Sequence, residues 1–142
     1  MNDFSRVMFY QDDEIVSYKD FLLVAKYFEE TIFRDIQPKK VVIVLPEGLS
    51  QACLLMFCLQ KYEVLPLTTK YLSSEYEPIL KDFAASLVIT CNCDETLEIK
   101  TACIKNSIQL VEVPDLETKL SEIRLRCDES NLDKSFFNLN QG

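Results

Sequence analysis

Six cysteines, no histidine and two glycines set the limits of the chemistry open to this 142-residue chain. Without histidine, Ser-His and Cys-His nucleophile pairs and His-ligated metal sites are excluded. The most pointed local motif is Cys91-Asn92-Cys93. A metal or redox centre would want C-x-x-C spacing or a second ligand pair. Thiols at i and i+2 share a face only where a strand continues through them, so buried thiols at a strand end are the expected state. Cys53 and Cys58 stand five apart on a helix, which turns them to different faces. The acidic runs Asp12-Asp13-Glu14 and Glu29-Glu30 have the right groups for general acid–base work. They sit in polar stretches with no apolar pocket to shift a carboxyl pKa, so solvated surface is expected. No residue is assigned a catalytic, cofactor-binding or metal-binding role on these grounds, and substrate-binding positions stay unassigned.

One junction could still hold an anion. In VVIVLPEGLSQACLLMFCL, Val41 to Leu59, a strand-like apolar run halts at Pro46 and Gly48 and resumes as a helix-like run. A helix N-terminus after a parallel strand offers unpaired backbone N–H groups and the positive end of a dipole. Phosphate loops add several glycines, which let the backbone approach the anion. Here Gly48 stands alone, the second glycine being the terminal Gly142. The junction reads as a corner, with Gly48 and Ser50 supplying turn and N-cap.

The elements around these residues follow from periodicity. VMFYQDDEIV, residues 7–16, predicts two short strands about the polar turn Gln11–Glu14, a small N-terminal β-hairpin. Ser17 three residues before Asp20 is a capping-box variant, and Phe21, Ala25, Phe28 and Ile32 recur at helical spacing to about Arg34. Val41–Leu45, apolar without alternation, predicts a strand covered on both faces. Ala52–Leu59 is apolar all round, as a buried helix is. Glu63–Leu67, Leu87–Thr90 and Ile108–Val111 predict further strands. Between them lie a helix capped at Ser73 or Ser74 with Pro78 in its first turn, and one capped at Asp94 and ending near Lys105. Residues 116–126 predict a last, strongly charged helix whose Lys and Glu face solvent.

Short strands alternating with helices mean βαβ units. The expected fold class is therefore α/β, a mostly parallel sheet with helices on both faces. Residues 1–126 are expected to form a single α/β domain, with 127–142 a polar tail or the start of a missing continuation. Length allows roughly two-thirds of the unfolded surface to be buried. At 48% hydrophobic residues the core material is ample. A net charge of −8 argues against nucleic acid and anionic membrane surfaces. No apolar run is long enough for a transmembrane segment, and the start MNDFSRVMFYQDDE lacks a signal-peptide pattern. A cytoplasmic chain with reduced thiols is expected.

From Ile15 to Thr90 the sequence resembles the N-terminal part of the AMP-forming, or adenylate-forming, ligases. These include acyl-CoA synthetases, fatty acyl-AMP ligases, luciferases and peptide-synthetase adenylation domains. IVSYKDF at 15–21 resembles the family's "l-T-Y-x-e-L", and VVIVLPEG at 41–48 resembles "V-a-i-l-L-p-N-g". VLPLTTKYLSSEYEPILKDFAASLVIT at 64–90 is similar to the strand "a-v-P-l-n-p-x-y", the helix after it and the strand "s-x-a-k-x-l-i-t". Lys61-Tyr62, Pro38-Lys39-Lys40 and Thr68-Thr69 depart from the family's Ala-Gly, Pro-Gly-Asp and Asn-Pro. These losses mark a divergent or degenerate member.

The resemblance implies a parent enzyme that activates a carboxylic acid with ATP and magnesium and passes the acyl group to a thiol. This chain would be its N-terminal fragment, structural and not catalytic by itself, binding no cofactor of its own. The family's phosphate loop, adenine pocket and catalytic lysine have no counterpart in the matching segment. The implied partner is the remainder of the parent enzyme. The alternative is a stand-alone degenerate homologue, a protein-interaction module that binds a partner protein. Either leaves apolar surface open to self-association.

Overall fold

The computed structural model describes residues 7–11, 14–116, 119 and 122. The chain divides into two compact units, one holding residues 36–115 and the other the described residues on either side.

In the first of these, four strands form an all-parallel sheet in the order β4-β3-β5-β6. They are β3 (Lys40–Val44), β4 (Glu63–Leu67), β5 (Leu87–Thr90) and β6 (Leu110–Glu112), separated by α2 (Leu49–Leu59), α3 (Ser73–Phe83) and α4 (Leu97–Lys105). The crossover β3–α2–β4 runs one way along the sheet, and β4–α3–β5 and β5–α4–β6 run the other. Right-handed crossovers in opposite directions put α2 on one face and α3 with α4 on the other.

The β-branched run of β3 is what this layering requires. Val42 and Val44 join Val88, Tyr76, Leu80, Ile99, Ala102 and Cys103 in one core cluster under α3 and α4. Val41 and Ile43, which alternation turns to the opposite face, are at most 1% exposed, as are Cys53, Leu54, Phe57 and Cys58 of α2. Burying such side chains contributes roughly 1.5 to 3 kcal/mol each. At the centre of the sheet the Thr90 hydroxyl donates to the Val44 carbonyl at 2.7 Å. At the other strand end the Ser86 hydroxyl accepts from the N–H groups of Lys39 and Lys40 and donates to the Lys40 carbonyl. No buried side-chain N or O lacks a hydrogen-bond partner among the described residues.

In the other unit the backbones of β1 (Val7–Gln11) and β2 (Glu14–Ser17) pair antiparallel, Gln11 opposite Glu14. Helix α1 (Tyr18–Glu30) opens on the predicted capping box: Ser17 Oγ accepts from the Asp20 N–H at 3.1 Å, and the Ser17 N–H donates back to Asp20 at 3.0 Å. It ends four residues short of the predicted Arg34. The Thr31 N–H makes the last i to i−4 bond, to the Tyr27 carbonyl that its hydroxyl also reaches, and the Phe33 N–H then closes on the Phe28 carbonyl at 3.0 Å, an i to i−5 bond that ends the ladder. Of the predicted last helix, Leu116, Lys119 and Glu122 are helical, with Lys119 and Glu122 paired at 3.2 Å. Its other positions and the tail 127–142 lie outside the described residues.

Three helix starts differ from the sequence expectation. Gly48, not Ser50, is the N-cap of α2, because its backbone at φ 154° and ψ −169° is a region open to glycine alone. Helix α3 starts at Ser73 after Leu72, whose N–H donates to the Glu75 carboxylate at 2.9 Å. This start leaves Pro78 inside the helix, not in its first turn, where it has no N–H to give to the Ser74 carbonyl. Asp94 opens a 3-10 turn, Asp94–Thr96, and the N-cap of α4 is Thr96. The Thr96 hydroxyl is drawn away by the loop before it, with its oxygen 2.7 Å from the Cys91 carbonyl oxygen and 2.9 Å from that of Cys93.

Candidate functional site

Open α/β sheets bind ligands beyond the carboxyl ends of their strands, where successive connections diverge to opposite faces. Here that point lies beyond β3 and β5, whose chains leave toward α2 and α4 respectively. Three loops meet at this edge: Leu45–Gly48 after β3, Thr68–Leu72 after β4 and Cys91–Cys93 after β5.

A groove of about 610 Å³ opens at this edge on the β3–β4 side, with Leu45, Glu47, Gln51, Thr68, Lys70 and Glu95 among its walls. Its shape is fixed by local hydrogen bonds. The Lys70 N–H donates to Thr68 Oγ1 at 3.2 Å, the buried Tyr76 hydroxyl donates to the Thr68 carbonyl, and the Thr69 hydroxyl donates to Glu95 at 3.3 Å. Burial of Tyr76 pushes its phenol up from the ordinary value, so it stays a neutral donor. From α4, Lys100 Nζ donates to Asn92 Oδ1 of the neighbouring loop at 3.1 Å and pairs with Glu112 at 3.4 Å.

The donor set does not fit a nucleotide triphosphate with magnesium. Lys70 brings one ammonium group to the groove against two carboxylates, Glu47 and Glu95. A triphosphate site needs a surplus of positive charge and a run of backbone donors. Gly48 is the one glycine near the groove, and α2 begins without a side-chain cap. No group of three or more Cys, Asp or Glu able to hold a metal ion is found among the described residues.

The residues singled out by sequence are dispersed. Cys53 and Cys58 are buried on α2, and burial pushes the Cys58 thiol up to about 12. Glu30 pairs with Lys26 at 3.8 Å on the surface of α1, and Glu29 is half-buried. Asp12 and Asp13 lie outside the described residues, and Glu14 is placed by its backbone in β2. The Pro46–Gly48 corner does reach the groove, with Gln51 Nε2 at 3.5 Å from the Leu45 carbonyl oxygen. Cys91 and Cys93 are brought together: although the strand ends at Thr90, a bend at Asn92 sets their Sγ atoms 3.7 Å apart. Thr68 is noted in the sequence only as a departure from the family's turn, and Lys70 and Glu95 are not singled out there. Their signal is positional, since each closely follows the carboxyl end of a parallel strand, β4 for Thr68 and Lys70 and β5 for Glu95.

No family model matches the sequence, and no curated protein matches it. Solved structures do match the fold. O-succinylbenzoate coenzyme A synthetase from Bacillus subtilis, in complex with AMP, superimposes with a TM-score of 0.64 at 15% identity, over 91% of this chain and 32% of that one. ATP-bound MatB from Rhodopseudomonas palustris gives 0.60 at 19% identity, over 91% of this chain and 26% of that one. The N-terminal domain of FACL13 from Mycobacterium tuberculosis gives 0.61 at 15% identity, over 87% and 33%. The chain thus spans about a third or less of the solved chains it resembles. The α/β fold, with its parallel sheet and helices on both faces, is the fold of a segment of those enzymes. No helix among the described residues is long and apolar enough to cross a membrane.

Proposed function

We propose that this chain is the N-terminal segment of an AMP-forming acid–thiol ligase, contributing scaffold and wall rather than reacting groups. The parent would join a carboxylic acid to AMP at the expense of ATP, releasing pyrophosphate, and hand the acyl group to a thiol. The observation that carries this reading is the fold match over 91% of the chain to a coenzyme A synthetase solved with AMP, at 15% identity. The residues that resemble the family, 15–21, 41–48 and 64–90, fall in that order on the capped start of α1, the β3 corner and the run from β4 to β5. Within this reading the groove at the carboxyl edge is a surface that the rest of the enzyme completes. On this reading nucleotide binding belongs to later parts of the parent, and the mismatch between the groove's charges and a triphosphate supports it.

Two measurements test the two halves of the proposal. Reading the source transcript beyond the codon for Gly142 should show a continuing frame, with a Ser/Thr/Gly-rich loop ending in lysine within about thirty codons. A stop codon would overturn the ligase reading and leave a protein-interaction module that kept the fold. Titration calorimetry of the 142-residue chain with ATP and magnesium should give no binding heat, and micromolar affinity would overturn the scaffold role.

A further inference from the structure

The bend between β5 and α4 holds two thiols in a geometry that neither a core nor a bare turn requires. Cys53, Cys58 and Cys103 are at most 1% exposed, filling apolar space, whereas Cys91 and Cys93 are half-buried at the carboxyl edge of the sheet. Their Sγ atoms lie 3.7 Å apart, with the Cys91 thiol donating to the Cys93 sulfur. Thr96, fully buried, clamps the backbone on both sides of the pair: its hydroxyl oxygen lies 2.7 Å from the Cys91 carbonyl oxygen and 2.9 Å from that of Cys93, and it accepts from the Cys93 N–H at 3.4 Å. Side-chain rotation is then the main motion needed to bring the sulfurs to bonding distance. The ammonium of Lys100, 3.1 Å from Asn92 Oδ1, puts positive charge on the residue between the thiols, partly offset by Glu112 at 3.4 Å from the same nitrogen.

We propose that Cys91 and Cys93 are a redox modification site, a dithiol that closes to an intramolecular disulfide by exchange with a small disulfide such as oxidised glutathione. Cys93 Sγ, as a thiolate, attacks one sulfur of the small disulfide and releases the first thiolate, leaving a mixed disulfide on Cys93. Cys91 loses its proton to solvent and attacks Cys93 Sγ, releasing the second thiolate. In sum two protein thiols are oxidised and one small disulfide is reduced to two thiols. The Cys91 thiol donates to Cys93 Sγ, while the Cys93 thiol lies 3.9 Å from Thr96 Oγ1. Burial, and then the contact with Cys93, push the Cys91 thiol up to about 11, which makes Cys91 the later of the two to attack. A three-residue ring is short for a disulfide, so the product is a labile bond that reduced glutathione reopens. Glu95, two residues on, lines the groove, so closure stiffens one of its walls.

The test uses the whole 142-residue chain carrying Cys127→Ser, which removes the sixth cysteine as a competing thiol, incubated with oxidised glutathione, acid-quenched, alkylated and mapped by mass spectrometry. The expected result is a peptide in which Cys91 and Cys93 have lost one hydrogen each and resist alkylation, while denaturation leaves Cys53, Cys58 and Cys103 fully alkylatable. Cys91→Ser should stop at a stable glutathione adduct on Cys93, and Cys93→Ser should acquire an adduct on Cys91 roughly tenfold more slowly. Two freely alkylated thiols, or an adduct that persists on Cys93 with Cys91 present, would overturn the site. Equal adduct rates in the two variants would overturn the order of attack.

Discussion

Ala84 and Ser107 stand at φ 58° and 54°, the left-handed conformation that a side chain with a Cβ resists. Each sits just past a helix and is held there by paired closing bonds. The Ala84 and Ala85 N–H groups go to the Lys81 and Leu80 carbonyls, and the Ser107 and Ile108 N–H groups to those of Ile104 and Cys103. With two glycines in the chain, neither position receives the residue that suits it. Ala84→Gly should therefore gain about 0.5 to 1 kcal/mol, the relief of strain exceeding the added unfolded-chain entropy. An unchanged or lowered urea midpoint would show that Ala84 is unstrained. Cys58 gives a prediction with a pH sign. Its thiol titrates at about 12 in the folded chain against an ordinary 9.0, because burial disfavours the charge. Above 9.0 the unfolded chain releases this proton while the folded chain keeps it, so this contribution to stability is complete below 9.0 and lost as pH rises toward about 12. Cys58→Ala should lower the midpoint at neutral pH through lost packing and make the alkaline fall shallower. Cys103 and Cys91, raised to about 11, keep the fall from vanishing. A fall equally steep in both proteins would exclude Cys58 as a source.

At the scale of elements, Pro78 is the informative misfit. It occupies the sixth position of α3, beyond the first turn where proline costs nothing, and it cannot supply the N–H that the i to i−4 ladder would bring to the Ser74 carbonyl. Pro78→Ala restores that bond and should stabilise the chain by about 1 to 3 kcal/mol. A loss of stability on urea denaturation would mean that the ring's packing outweighs the missing bond. The same helix shows where sequence reasoning reaches its limit. The strands were legible in place: Glu63–Leu67 and Leu87–Thr90 fall where expected, Lys40–Val44 is displaced by one residue, and the last runs Leu110–Glu112 where Ile108–Val111 was expected. The apolar runs of β3 and β5 suit a doubly covered sheet, whereas β4 stays half-exposed. The Ser17–Asp20 cap was legible because its bonds are local. The starts of α3 and α4 were not, because a partner distant in sequence holds the first and the loop before the helix engages the cap of the second. The Ser73 N–H goes to Glu98, and the Thr96 hydroxyl is engaged by Cys91 and Cys93. The groove was illegible for the same reason. Thr68, Lys70 and Glu95 meet only after the strand order β4-β3-β5 brings three loops to one edge, and no periodicity encodes an edge.

For the whole molecule, charge and apolar exposure pull in opposite directions. The chain carries a net charge of −8, which repels its own copies. Against this, Leu59, Leu72 and Leu97 are 58–59% exposed and Ile104 is 79% exposed, on or beside three different helices. Large apolar side chains this open are cheap to desolvate and contribute roughly 25 cal/mol for each Å² covered. The chain covers about a third of the length of the synthetase it resembles, so under the proposed function these side chains would be covered by the rest of the parent. Offered alone, they should find each other once the repulsion is screened. The screening length falls from about 10 Å at 0.1 M salt to about 3 Å at 1 M, whereas apolar contact is not weakened by salt. Sedimentation velocity should therefore show a monomer at low ionic strength and a growing dimer fraction as salt is added. Leu72→Ser with Ile104→Ser should suppress that growth without moving the low-salt monomer. A single monomeric species at every salt concentration would mean that these residues are scattered surface positions and not a contact face. Dimer that dissolves as salt rises would mean that ion pairs such as Lys105–Glu77, at 4.0 Å within one copy, re-form between copies instead.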